Sequence, residues 1–341
     1  MSKIRAIVYG VGEMGRIVTR FMVEKGVDVV GAIDLNPEIV GKDLGEVVGL
    51  GYPLNVQISD DADSVVCAQQ ADIAVVALLT EMERIYPHLE KCIENGLNVI
   101  TTSEEAFYAW TTSPVLASRL DKLARKHAVT VTGGGYQDVF LVNLITLLTG
   151  TSHTIKSISG RERYNIDDYG PVVARHNHVG QTEEEFEKDI AEEGIQPSYF
   201  RMNLESLVAD LGLTIKEIVQ RSEPTIDDVD IKCKSLDTTV KTGQVTGMSD
   251  IVDIDTEQGI KVHGELIGKV YRENEVDMND WLIEGVPDTY LRNDRVAIKT
   301  TTCTQMVNRI PDVINAEPGY ITVEKLPKLR YRAFPLHYYL K

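Results

Sequence analysis

The segment Gly10-Val11-Gly12-Glu13-Met14-Gly15 constrains this 341-residue chain more than any other. It follows a short apolar run at residues 4–9 and opens a helical pattern at 16–25, closed by Gly26. A β-branched run at 27–33 comes next and ends at Asp34. A glycine loop between strand and helix, with an acid about 20 residues further on, is the dinucleotide-binding arrangement. Gly10 permits the tight turn. Gly12 lets the backbone approach a pyrophosphate, and Gly15 lets helix and strand pack closely. Glu13 and Met14 complete the loop, whose free N–H groups and helix dipole favour negative charge. Asp34 can accept hydrogen bonds from ribose hydroxyls and would repel a 2′-phosphate. NAD is therefore the expected cofactor, with NADP as the alternative. A turn cap before Asn36-Pro37 is the other reading of Asp34.

Strands and helices then alternate. Residues 73–79 are apolar without alternation, as in a strand buried on both faces. Residues 82–94 read as a helix stopped by Asn95-Gly96, 98–101 as a strand, 114–127 as a helix, and 129–132 as a strand leading into Gly133-Gly134-Gly135. This order predicts an α/β fold whose N-terminal Rossmann domain is a doubly wound parallel sheet. Beyond residue 135 the character changes. Residues 139–148 read as a connecting helix, 155–163 as a strand, 183–193 as an acidic helix, and 204–219 as one or two helices interrupted at 211–213. Between 229 and 302 β-type alternation dominates and predicts an antiparallel sheet in a second, α+β domain. Residues 303–314 turn helical again, with a break expected near Pro311. The expected division is 1–135 for the dinucleotide, 136–302 for substrate and oligomerisation, and 303–341 packing back on the first domain.

Composition narrows the function. The formal net charge is −17, whereas a nucleic-acid binder needs a basic face and anionic lipids attract basic segments. No apolar run reaches membrane-spanning length, and the start lacks the pattern of a signal peptide. Cys67, Cys92, Cys233 and Cys303 are far apart, so they read as reduced thiols of a cytoplasmic protein.

In a doubly wound sheet the carboxyl ends of the strands face the ligand crevice. Leu79, Thr80 and Thr102 lie there and are expected to touch the cofactor. Glu104 and Glu105 follow the strand at 98–101 and are the candidate catalytic carboxylates; their other reading is as first-turn helix residues favoured by the dipole. Tyr136 and Asp138 follow the glycine run, where Asp138 could meet substrate or cap the next helix. Arg163, Asn165 and Tyr169 follow a second-domain strand and are candidate substrate contacts, an Arg being able to hold a carboxylate bidentately. His176 and His178 can titrate near neutrality. No matching ligand set accompanies them, so no metal is expected. The acidic run at 183–187 reads as a solvated helix face.

Several segments, in order, carry a family likeness: residues 10–15; Asp34 through Gly41-Lys42-Asp43-Leu44-Gly45; Asn98-Val99-Ile100-Thr101-Thr102-Ser103-Glu104-Glu105; Val179-Gly180-Gln181-Thr182; 207–224; and Arg309-Ile310-Pro311 through Pro318-Gly319. In these the chain resembles the 2,4-diaminopentanoate dehydrogenases and related native amine dehydrogenases, whose fold is similar to dihydrodipicolinate reductase. It departs from them at Gly135-Tyr136-Gln137-Asp138 and at His176-Asn177-His178. It also lacks the Lys-x-x-x-Ser-Gly-Thr signature of the reductases. The resemblance implies NAD(P)-dependent oxidative deamination of a primary amine or diamino acid and its reverse, a catalytic Glu at 104 or 105, a small-molecule substrate and a homodimer or larger oligomer. Glu104, the first after the strand, is the favoured base. The competing readings are a reductase of a cyclic imine or C=C bond and a dinucleotide sensor without chemistry.

Overall fold

The apolar runs of the first third become the strands of one parallel sheet. The structure, a computed structural model, describes residues 2–68, 70–194 and 198–341. In chain order come β1 (Arg5–Tyr9), α1 (Glu13–Glu24), β2 (Asp28–Ile33), α2 (Leu44–Val47), β3 (Ile58–Ser59), α3 (Ala62–Ala68), β4 (Ile73–Val76), α4 (Met82–Glu94), β5 (Asn98–Thr101), α5 (Pro114–Lys126) and β6 (Thr130–Gly133). The chain forms two compact units, the first comprising residues up to Asn143 together with Ile298–Lys341. The returning segment adds α10 (Ile298–Asn315) and β15 (Gly319–Tyr320). The strands lie in the order β15-β6-β5-β4-β1-β2-β3, all pairs parallel. Side chains of β1 show why its sequence is uniformly apolar. Ala6 and Val8 pack into one buried cluster with Met22 of α1 and Ile310 of α10. Ile7 and Tyr9 pack into the other with Leu89 of α4 and Leu120 of α5. Both faces are buried, so alternation in direction brings no alternation in polarity.

The second unit spans Leu144–Ala297. It contains α6 (Leu144–Thr149), β7 (Thr154–Asn165), α7 (Pro171–His176), α8 (Glu183–Glu193), α9 (Tyr199–Asp210), β8 (Ile215–Ile226), β9 (Ile231–Cys233), β10 (Thr238–Val240), β11 (Val245–Thr256), β12 (Lys261–Lys269), β13 (Met278–Val286) and β14 (Thr289–Asp294). Its main sheet runs β14-β13-β7-β12-β11-β8. The sheet is mixed, where an antiparallel one was expected: β7 and β12 pair in parallel. Parallel neighbours need a long crossover, and the helices and strands between residues 165 and 261 supply it. The helical reading of 204–219 is half right. The helix α9 ends at Asp210, Gly212 takes φ +67°, and residues from Ile215 pair with β11 as an antiparallel strand.

Expectation also fails at Pro311, which lies inside an unbroken α10. Proline removes one helical hydrogen bond, but the helix is fixed on both sides of it. Met306, Val307, Ile310 and Val313 sit in the core. Arg309 donates through Nε and Nη2 to the two oxygens of Asp138, at 2.9 and 2.8 Å, with both side chains 1% exposed. Arg309 also reaches the Pro327 carbonyl and Asp312, which binds Arg332 at 2.7 Å. Asn143 donates to Asp138 at 2.6 Å within the π-helical turn Asp138–Asn143, and the Arg309 pair ties that turn to α10. Removing one member of a buried ion pair strands the other charge. Arg309→Met should therefore cost about 3–5 kcal/mol in urea unfolding. The double variant with Asp138→Asn should recover part of it. A loss below about 1 kcal/mol in the single variant would contradict the pair's role.

Candidate active site

The fold turns the sequence loops into one continuous edge. The chain leaves β1 toward β2 and β3, then crosses back to β4, β5 and β6 on the other side. The crevice of an open α/β sheet lies at this reversal, outside the carboxyl ends of the strands. Gly10 stands there with φ +99°, and a Cβ on it would come within 2.3 Å of the Ala77 carbonyl oxygen. A Cβ on Gly15 would lie 1.9 Å from the Gly10 oxygen. Both glycines are thus required by the fold itself. Gly12 is different. Its φ is −71° and a Cβ there would meet nothing within 4 Å. The first helical bond of α1 runs from Arg16 N to Gly12 O, so the amides of Glu13, Met14 and Gly15 head the helix. Open space over a helix N-terminus fits a pyrophosphate.

Asp34, at the end of β2, braces this loop. Its Oδ2 accepts from Val11 N at 2.6 Å and its Oδ1 from Asn36 N at 2.8 Å. The turn cap and the loop brace coexist, and each carboxylate oxygen keeps a lone pair for a ribose hydroxyl. Glu13 is held by Lys299 of α10 at 3.0 Å. The Met14 side chain packs on the core, leaving its backbone to the loop.

The loops after β4 and β5 are laced together. The run of 73–79 stops being a strand at Val76, and Leu79 and Thr80 lie half-buried in the loop beyond it. The Thr80 carbonyl accepts from Ser103 Oγ at 2.7 Å and from Glu105 N at 3.1 Å. Thr102 continues the pairing through its N–H to Val76 O. Glu105 is consumed: Oε2 accepts from Met82 N at 2.6 Å, capping α4, and Oε1 accepts from Ser113 Oγ at 2.6 Å. Glu104 is left available. Its Oε2 is buried with no hydrogen-bond partner among the described residues. Burial, with a smaller contribution from Glu81, pushes its carboxyl up to about 7. Neighbouring carboxylates with opposite environments are what acid–base chemistry near neutrality requires. The short helical turn Glu105–Phe107 makes one of the two acids a first-turn residue, as the alternative had it. Nothing local marks Ser113 as the partner of Glu105 or Ser103 as the tie to Thr80, and sequence reasoning passed over both.

The remaining candidates divide between the units. Asp138 is committed to Arg309 and Asn143 and has no surface to offer substrate. Tyr136 is buried in the first unit, stacked on Phe140. In the second unit Arg163 pairs with Glu275 at 3.3 Å and lies against the Tyr271 ring. The Asn165 side chain accepts from Asp167 N, and Tyr169 packs edge-on to Tyr164. His178, with φ +57°, is 8% exposed, bonds Gln181 at 3.1 Å within the link between α7 and α8, and packs edge-on to Phe186 of α8. His176 ends α7, close enough to Asp250 to act on its charge. No group of three or more candidate metal ligands occurs among the described residues. Glu183, Glu184, Glu185 and Glu187 are exposed, as a solvated face should be.

Known proteins resemble this chain along its whole length. Residues 139–333 match the family model of the 2,4-diaminopentanoate dehydrogenase C-terminal domain, and residues 4–105 that of the dihydrodipicolinate reductase N-terminus. The 2,4-diaminopentanoate dehydrogenase of Acetoanaerobium sticklandii is 29% identical, over 96% of this chain and 94% of its own. The amine dehydrogenase structure from Mycobacterium smegmatis superposes with a TM-score of 0.89 at 46% identity, covering 98% of both chains. The 4-hydroxy-tetrahydrodipicolinate reductase of Synechococcus elongatus is similar over only 26% of this chain. The reductase likeness thus stops with the nucleotide-binding part, and the chain belongs to the 2,4-diaminopentanoate dehydrogenase family.

Proposed function

We propose that this protein is an NAD(P)-dependent dehydrogenase of primary amines, running oxidative deamination and its reverse, with Glu104 as the proton carrier. The observation that carries the role of Glu104 is its unpartnered, buried Oε2 beside a fully committed Glu105. The glycine loop, the α1 amides and Asp34 would hold the dinucleotide, which supplies the hydride acceptor for oxidation and the donor for reduction. Glu104 takes the proton from the substrate ammonium, since hydride can leave only from carbon bearing a neutral amine. Once it has passed that proton to solvent, the carboxylate favours the positive iminium carbon–nitrogen unit and deprotonates the water that attacks it. Ser103 and Glu105 hold the Glu104 loop against the loop after β4, so the base does not depend on substrate for its position. A cytoplasmic homo-oligomer is the setting we propose. The four cysteines are free, three of them buried, and no helix of the described residues is long and apolar enough to cross a membrane.

The cofactor site is tested by two glycines. Gly12→Val should fold normally and lose NADH binding, because its side chain enters the pyrophosphate space. Gly15→Ala should compromise the fold, because its Cβ meets the Gly10 carbonyl. Near-normal NADH affinity in folded Gly12→Val would refute the assigned loop. Asp34→Ser should narrow the expected preference for NADH over NADPH in fluorescence titrations. Tighter NADPH binding by the unaltered protein would refute the preference itself.

Glu104→Gln should lower turnover with an amine substrate by roughly 10²–10⁴-fold, and Glu105→Gln should act mainly on stability. The oxidation rate should rise with pH through about 7 as Glu104 ionises, and that limb should vanish in Glu104→Gln. Stability runs the other way. A carboxyl raised from 4.5 to about 7 leaves the fold fully stable below the first value and less stable as pH climbs through the second. Glu104→Gln should therefore raise the melting temperature at pH 8 and leave it unchanged at pH 4. A pH–rate profile identical in both proteins would exclude Glu104 as the base.

A further inference from the structure

One buried hydroxyl of the first unit stands where a backbone hydrogen bond would ordinarily form. After β5 the chain makes a tight helical turn, Glu105–Phe107, opened by the bond from Phe107 N–H to the Glu104 carbonyl at 3.1 Å. The bonds of such a turn join each carbonyl to the N–H three residues on, so continuing it would pair the Ala106 carbonyl with Ala109 N–H. The Tyr320 hydroxyl of β15 is inserted between these two groups. It accepts from Ala109 N at 2.9 Å and donates to the Ala106 carbonyl at 2.8 Å. All three residues are buried, so the two backbone groups depend on this hydroxyl rather than on solvent.

Tyr320 is itself fixed. Its N–H donates to Asp121 Oδ1 of α5 at 3.0 Å, its strand pairs with β6, and its ring lies 5.1 Å from that of Trp110. Burial pushes its phenol far above the ordinary value, so the proton given to Ala106 stays in place at any working pH. Beneath the turn, a Cβ on Gly133 of β6 would strike the Ala106 carbonyl oxygen and Phe107 N. At the front, Glu105 pins the turn to Met82 and Ser113. The course of the backbone just after Glu104 is thus set from three sides, while Glu104 Oε2 bonds to none of the described residues.

Resting on the reading of Glu104 as the base, we propose that Tyr320 is a positioning residue for it, its hydroxyl holding the turn open at the width that keeps Glu104 in its buried place. Without the hydroxyl, the Ala106 carbonyl and Ala109 N–H either bond to each other, which winds the turn tighter, or stand unpaired, which loosens it. Both moves displace Glu104. Burial is the main cause that holds its carboxyl up at about 7, so displacement lets that value fall.

The test is Tyr320→Phe in the full-length protein, which keeps the ring against Trp110 and removes only the hydroxyl. Turnover, read as NAD reduction by pentylamine, should fall by roughly 10²-fold, the scale for a reacting group misplaced by about 1 Å. NADH affinity should be unchanged, because the glycine loop is not touched. The limb of the pH–rate profile near 7 should move down by about half a unit or more. Arg309→Met, which weakens the same unit but has no bond to the turn, should leave that limb in place. An equal shift in Arg309→Met would mean that the limb follows stability, and would overturn the role. So would an unmoved limb in a folded Tyr320→Phe. Hydrogen exchange of the unaltered protein decides the matter if that variant does not fold. The Ala109 amide should exchange as slowly as those of β5 and β6, and exchange at the rate of an open loop would overturn the bridge. The two possible failures read apart. A limb that survives Glu104→Gln removes the base and the positioning role with it. A limb lost in Glu104→Gln but unmoved in Tyr320→Phe removes the positioning role alone.

Discussion

Backbone meets backbone at the glycine loop, and the first unit is arranged around that contact. The Cα of Gly15 lies so close to the Gly10 carbonyl that a single added carbon would overlap it, and Gly10 in turn lies on the Ala77 carbonyl just past β4. These approaches bring the start of α1 down onto β1 and place the loop after β4 beside it. From there hydrogen bonds carry position outward: Thr80 to Ser103, Thr80 to Glu105, and Glu105 to Met82. A base two strands away from the glycine loop therefore inherits its place from an approach that only glycine permits. Gly12 stands outside this chain of contacts. Nothing in the protein requires its lack of a side chain, which is why it points to a ligand and its two neighbours point to packing.

How much of this could be read from the sequence varied with the range of the interaction. The Rossmann strands and helices are local patterns, and β5, α4 and α8 fall where periodicity places them. The fate of Glu104 and Glu105 is not local. Both follow the same strand, and what separates them is that Ser113 and the head of α4 reach one of them. The substrate role expected of Asp138 fails for the same reason. Its partner Arg309 lies 171 residues away, and no spacing rule links them. Beyond Leu213 the pattern of Ile215, Ile218 and Val219 suits a helix face, but those residues lie along the edge strand β8. Pairing with β11 decides between the two, as tertiary context commonly overrides propensity.

Four buried or half-buried carboxylates show how one fold handles negative charge in different ways. Asp138 is neutralised by a guanidinium and fixes α10 in the first unit. Glu105 is satisfied by a backbone amide and a hydroxyl and fixes a loop. Glu104 and Glu162 have neither solution, and both stay protonated to higher pH than a solvated glutamate. The first two act as structure because their lone pairs are occupied whatever else is bound. The second two gain most when a positive charge arrives, since the cation converts an unfavourable burial into a paired one. An amine is such a charge.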